Sequence, residues 1–174
     1  VHKQIAKRVV ESVLNYDLEL VKKENALEIV ALERKIENIP FKIDENNQVI
    51  FYGFIDRIDI LNGTLRIIDY KTAKPKNLKI KIKEAKIETL FFEDKYKQAM
   101  QLCMYQYCIS QIDEFKNREI ETGIWSFAEV NNGVQKVEFT EGNFEDSLVS
   151  VKNLILEILN PEIPFIEKVH ESWN

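Results

Sequence analysis

The order of elements legible along the chain predicts an α/β fold, a central mixed β-sheet flanked by α-helices. Three observations carry that prediction. Apolar residues recur at helical spacing near the start, in the middle and near the end of the chain. Two extended runs meet at Asn62-Gly63, the strongest short-range hairpin signal, because both residues tolerate positive φ. A second pair of extended runs meets at Asn131-Asn132-Gly133, between the helical stretches in the middle and near the end of the chain. No repeat or linker interrupts the pattern, so residues 1–174 read as a single domain with a substantial core.

Taken in order, Ile5, Val9, Val10, Val13 and Leu14 give a helix from residue 2 to about 15, closed or capped by Asn15 or Asp17. A second short helical stretch follows through Asn25. Ala26 to Ile43 reads as extended, bent near Pro40, with a turn at Asn46-Asn47. Strands at about 49–61 and 64–72 form the hairpin, and Pro75 and Asn77 end it. Leu78 to Lys83 alternates strictly and predicts a strand with one lysine face. That face is either an edge guarded against aggregation or a cationic strip beside a nucleic-acid path. A helix over roughly 92–111, strands at about 120–129 and 134–139, and an amphipathic helix over about 143–159 complete the chain.

The hairpin also carries the chemistry. With Asn62 and Gly63 as loop residues, Leu61 faces Thr64, Asp59 faces Arg66, and Asp56 falls opposite Asp69. Lys71 shares the Asp69 face, whose other members Ile58, Ile60, Leu65 and Ile67 are apolar. Arg57, Asp59, Thr64 and Arg66 occupy the other face, which suits solvent. Two facing carboxylates at the end of a buried face repel each other where water is scarce. A divalent, oxygen-preferring cation would relieve that repulsion, and a lysine beside it could steady a water or a phosphate. The pattern therefore points to metal-assisted phosphodiester hydrolysis.

Composition sets bounds. At 45% hydrophobic and 30% charged residues the chain is of the globular class. No apolar stretch approaches the roughly 20 residues of a membrane span, and no signal peptide is visible. The chain enters a helical pattern from Val1 without an initiator Met, as expected of a piece of a larger protein. Cys103 and Cys108 match no metal motif and read as buried reduced thiols, in keeping with a cytoplasmic setting. A net charge of −5 disfavours nucleic-acid binding overall, yet seven lysines lie between residues 71 and 86 against the single acid Glu84.

Gly53-Phe54-Ile55-Asp56-Arg57-Ile58-Asp59 resembles the "GxIDRxD" motif, and Ile68-Asp69-Tyr70-Lys71-Thr72 the "IDYKT" motif, of RecB-like nuclease domains in the PD-(D/E)XK superfamily. Gln101-Leu102-Cys103-Met104-Tyr105 resembles the family's Q-x-x-x-Y helix motif. His2 resembles the histidine on its N-terminal helix. Together these span nearly the whole chain, and the likeness is nearest to AddB-type helicase–nuclease domains. The resemblance implies a restriction-endonuclease-like core and a Mg²⁺- or Mn²⁺-dependent deoxyribonuclease. His2, Asp56, Asp69 and the Tyr70 carbonyl would bind the metal, and Lys71 would be the catalytic lysine. Gln101 and Tyr105, four apart on one helical face with Gln98 nearby, would position DNA. It further implies an exonuclease acting on DNA ends in recombinational repair, with a helicase in the same polypeptide or a partner subunit.

Two departures qualify the likeness. AddB-like domains carry cysteines for an iron–sulphur cluster beyond a segment resembling Asn160 to Phe165, whereas residues 170–174 contain none. No such cluster is expected in this chain. The acidic residue expected upstream of the hairpin is Glu33 or Glu37. Two other readings stay open: a catalytically inactive DNA-binding or scaffolding module of the same fold, and a stand-alone phage or defence nuclease.

Overall fold

The computed structural model describes residues 2–166. Helix α1 (His2–Lys22) leads into two long strands, β1 (Leu27–Lys42) and β2 (Gln48–Leu61), followed by β3 (Thr64–Lys71). Strand β4 (Lys79–Lys81), helix α2 (Lys97–Ser110), strands β5 (Ile120–Ser126), β6 (Val134–Lys136) and β7 (Glu138–Glu141), and helix α3 (Phe144–Leu159) follow. The main sheet has the order β1-β2-β3-β5-β6. β3 and β5 run parallel and the other neighbours antiparallel, so the sheet is mixed. β4 and β7 pair in parallel as a separate two-stranded sheet. The predicted α/β architecture is the observed one.

The hairpin forms in the predicted register. Asn62 (φ 52°) and Gly63 (φ 91°) make the turn, and Asp59 faces Arg66. Asn62 does more than turn the chain. Its Oδ1 accepts from the Ala26 N–H at 2.9 Å, which pins the start of β1 to the hairpin tip.

One face of the sheet buries Ile58, Leu65 and Ile67 against Cys108 and Ile109 of α2. A contiguous apolar cluster joins Ala99 and Cys103 of α2 to Val151 of α3 and to Ile80 and Ile82 around β4. Helix α3 starts on a full capping box: the Asp146 N–H donates to Asn143 Oδ1, and the Asn143 N–H to Asp146 Oδ2. The other face of the sheet is covered by α1, with Val13 and Tyr16 against Ile68 and Trp125.

That cover overturns one expectation. The face carrying Arg57, Asp59 and Arg66 is not solvated: the three are 2%, 0% and 6% exposed. Asp59 accepts from Arg57 Nε (2.7 Å), Arg66 Nε (2.6 Å) and Arg66 Nη2 (2.8 Å). Asp17 of α1 accepts from both terminal nitrogens of Arg57, at 2.7 and 3.0 Å. Strand alternation locates a charged face but does not reveal a helix that brings the counter-charge.

The same contact explains why α1 is one helix of 21 residues rather than two pieces. Short polar side chains such as Asn15 and Asp17 favour helix ends because they compete for backbone hydrogen bonds. The Asp17 carboxylate is instead occupied by Arg57.

Other boundaries differ as well. The predicted 92–111 helix begins at Lys97, with 3₁₀ turns from Leu90 to Tyr96 before it. The strand expected at 134–139 is two short strands, one in each sheet. β5 stops at Ser126 and passes into 3₁₀ turns. The lysine strand shrinks to three residues, and two of its lysines face glutamates on β7: Lys79 and Glu138 at 3.4 Å, Lys81 and Glu141 at 2.8 Å. Among the described residues no helix is long and apolar enough to cross a membrane.

Candidate active site

The β2–β3 ladder ends at Arg57–Ile68, one step short of Asp56 and Asp69. β3 continues to Lys71 because its other edge stays paired with β5, Asp69 beside Ile124 and Lys71 beside Ser126. The hairpin thus opens like a fork at its acidic end. Inside the fork the Tyr70 N–H, free of the β2 ladder, donates to Asp56 Oδ2 at 2.7 Å. The two aspartates are not a regular ladder pair as expected. They remain electrostatically coupled across the opening, and the Asp56 charge helps to raise the Asp69 pKa.

Asp69 is 4% exposed. Burial pushes its carboxyl above the ordinary aspartate range, Asp56 adds to the rise, and Lys71 works against it. Lys71 Nζ lies 2.7 Å from Asp69 Oδ2. Apart from that ammonium group, no donor among the described residues reaches this buried oxygen. We read the contact as an ion pair that leaves a lone pair of Asp69 unfilled.

Helix α2 braces the lysine. Lys71 Nζ donates to Gln101 Oε1 at 3.2 Å, and Gln101 Nε2 donates to the Tyr105 hydroxyl oxygen at 2.8 Å. Burial raises the Tyr105 pKa, and the charges of Asp69 and Asp56 push the same way, so the phenol stays protonated. Its proton is not used by Gln101, which itself donates, and is available to an acceptor in the site. The Tyr105 ring stands beside Gly53, where an added Cβ would lie 3.8 Å from the ring edge.

The structure thus brings Asp56, Asp69, Lys71, Gln101 and Tyr105 together. Gln98 stands apart, its Oε1 accepting from the Lys76 N–H at 2.9 Å. Tyr70 lies on the opposite face, stacked on Phe127 with ring centroids 5.4 Å apart. Glu33 lines a cavity of about 400 Å³ with Asp56, Arg57 and Tyr70, whereas Glu37 pairs with Lys35 at 2.6 Å on the surface. His2 opens α1, but its side chain lies outside the described residues.

An oxygen-preferring divalent ion fits the donors present. Two carboxylates lie near enough to feel each other's charge, and one of them is buried with only Lys71 beside its Oδ2. Mg²⁺ is commonly held by one or two carboxylates, with waters and substrate oxygens filling the rest of its shell. Among the described residues no group of three His, Cys, Asp or Glu side chains is close enough to hold an ion. A third protein ligand would come from a backbone carbonyl or from His2.

Reading the sequence missed the Asp17–Arg57–Asp59–Arg66 network behind the site. The one signal available was Arg57 between two aspartates in the motif, a density of charge too high for an ordinary surface strand. No curated protein matches the sequence. The family model for the PD-(D/E)XK nuclease superfamily matches residues 1–170, nearly the full length and the whole of the forked hairpin, so the chain belongs to the PD-(D/E)XK nuclease superfamily.

Proposed function

We propose that this chain is a Mg²⁺- or Mn²⁺-dependent deoxyribonuclease of the RecB-like branch. It would act as one nuclease domain on DNA ends in recombinational repair, working beside a helicase. The observation that carries the reading is the buried Asp69 carboxylate, which feels the charge of Asp56 and has Lys71 Nζ 2.7 Å from its Oδ2. Lys71 offsets one of the two negative charges, and a divalent cation between the carboxylates would offset both. The motif resemblance supports the finer terms, namely exonuclease action, the AddB-type likeness and the helicase partner.

In this reading Asp56, Asp69, the Tyr70 carbonyl and His2 hold the ion. When bound, it supplies an acidified water and neutralises charge building on the phosphate. Lys71, held by Gln101, donates to the attacking water and offsets negative charge as the phosphorus becomes five-coordinate. Tyr105 offers its hydroxyl proton to a phosphate oxygen. The Tyr70 N–H holds Asp56 Oδ2 at 2.7 Å, which leaves Oδ1 as the oxygen to offer an ion.

The test is cleavage of linear DNA with Mn²⁺ by the wild type and by Asp69→Ala. Loss of cleavage in the variant, with its fold intact by circular dichroism, supports the mechanism. Equal cleavage by both removes it. If neither cleaves and Asp56→Asn leaves calorimetric Mn²⁺ binding unchanged, the chain is a scaffolding module of the same fold.

A further inference from the structure

We propose that Asp17 of α1 is a positioning residue for Asp56: it clamps Arg57 against the Tyr70 side chain, and the Tyr70 peptide holds the Asp56 carboxylate. The inference rests on the nuclease reading for the ion that Asp56 would hold, while the link between the residues needs neither ion nor DNA.

Asp17 belongs to none of the motifs and lies 40 residues before Arg57. Its carboxylate nonetheless takes both terminal nitrogens of Arg57, a two-point contact that fixes the plane of the guanidinium. Asp59 takes Nε. The Arg57 side chain is 3% exposed and that of Asp17 14%, so little water competes for these contacts. Beyond the two acids, the guanidinium reaches the Tyr70 hydroxyl. It also lies 5.5 Å from the centre of the Trp125 ring, and Tyr70 tilts against the same ring with centroids 6.2 Å apart. Asp17, Asp56, Arg57 and Tyr70 all line one cavity of about 400 Å³.

Tyr70 turns that side-chain clamp into a backbone one. Its peptide is paired with β5 on one edge, beside Trp125, while its other edge has left β2. On the open edge the Tyr70 N–H holds Asp56 Oδ2 at 2.7 Å. Side chain and N–H leave the same residue, so a ring pinned by Arg57, Trp125 and Phe127 limits how far that peptide can turn. Anchorage of α1 alone does not call for this arrangement. A buried ion pair adds little net stability, and α1 already packs through Val13 and through Tyr16 on Trp125. What Asp17 adds is the aim of Arg57.

The experiment reads the Tyr70 N–H directly, by magnetic resonance of protein isotopically labelled at tyrosine nitrogen, in EDTA. Wild type is compared with Asp17→Asn and with Ser150→Ala, and Tyr70→Phe identifies the Tyr70 signal by removing it. Asp17→Asn is expected to move the amide proton upfield as the contact with Asp56 loosens. Ser150→Ala, which removes a buried hydrogen bond from the Phe91 N–H away from the clamp, is expected to leave it in place. Calorimetric Mn²⁺ binding is measured on the same proteins. Asp17→Asn should weaken it about ten-fold, the low end of the loss when a partner behind a metal ligand is removed. Asp17→Asn/Tyr70→Phe should bind no more weakly than Asp17→Asn, because both changes act through one ring. An unmoved Tyr70 amide, an unchanged Mn²⁺ affinity in Asp17→Asn, or losses that multiply in the double variant would overturn the proposal. Equal losses in Ser150→Ala would overturn it too, since they mark a general loosening. A wild type that binds no Mn²⁺ overturns the nuclease reading instead, and the amide signal then decides the link from Asp17 to Asp56 by itself.

Discussion

Replacing Asp59 by alanine tests whether the motif's second aspartate is structural. Asp59 is fully buried and accepts three charge-assisted hydrogen bonds, one from Arg57 and two from Arg66. In Asp59→Ala, Arg57 keeps Asp17, but Arg66, 7% exposed at its side chain, keeps no carboxylate. Removing one partner of a buried pair costs about 3–5 kcal/mol, because the remaining charge stays desolvated. Against a total stability of about 5–15 kcal/mol that is a large fraction. With a urea m-value of about 2 kcal/mol/M, the midpoint should fall by about 2 M. Removing both charges in Asp59→Leu/Arg66→Met should recover most of the loss, since no unpaired guanidinium is left at position 66. Urea unfolding followed by far-ultraviolet circular dichroism reads both. A shift under about 0.5 M for the single variant, about 1 kcal/mol, would mean that water reaches Arg66. A double variant no better than the single would also refute the reasoning.

Three further outcomes are expected. Because burial, the largest influence, outweighs Lys71 and with a smaller push from Asp56 raises the Asp69 pKa above 3.8, the folded chain binds this proton more tightly than the unfolded one. Stability then falls as pH rises from about 3.8 through the folded value, so in EDTA Asp69→Asn should melt above wild type at neutral pH and lose that advantage in acid. Scanning calorimetry across pH checks this, and a variant no more stable than wild type at neutral pH would sink it. Tyr105→Phe deprives Gln101 Nε2 of its acceptor at 2.8 Å and loosens the brace on Lys71. Cleavage turnover should drop about ten-fold for a hydrogen bond worth about 1–1.5 kcal/mol, with the melting temperature nearly unchanged. Unaltered turnover would show that Lys71 needs no brace. Burial pushes the Cys103 thiol up to about 11 and the Cys108 thiol up to about 12, so a thiol-reactive dye should label neither until the protein is unfolded. Rapid labelling of the native protein would contradict the packing of α2.

The chain by itself determined whatever depends on local backbone preference and strand alternation. Asn62-Gly63 dictated the turn, the turn dictated the register that sets Asp59 opposite Arg66, and alternation put Asp69 and Lys71 on one face. Spacing on a helix likewise put Gln101 and Tyr105 within hydrogen-bond reach of each other. Only the tertiary structure decided what covers each surface and where pairing stops. Alternation is blind to a helix returning from far away, so nothing in the hairpin announced that Asp17 would arrive to bury Arg57 and Asp59. Nor could register alone show that β3 would stay paired with β5 while parting from β2, which opens the fork around Asp56 and Asp69. Glu33 differs from Glu37 for the same reason: only packing set one on the cavity that Asp56 also lines and left the other with Lys35. Local rules act over a few residues, whereas burial and charge pairing are settled between segments that the chain keeps far apart until it folds.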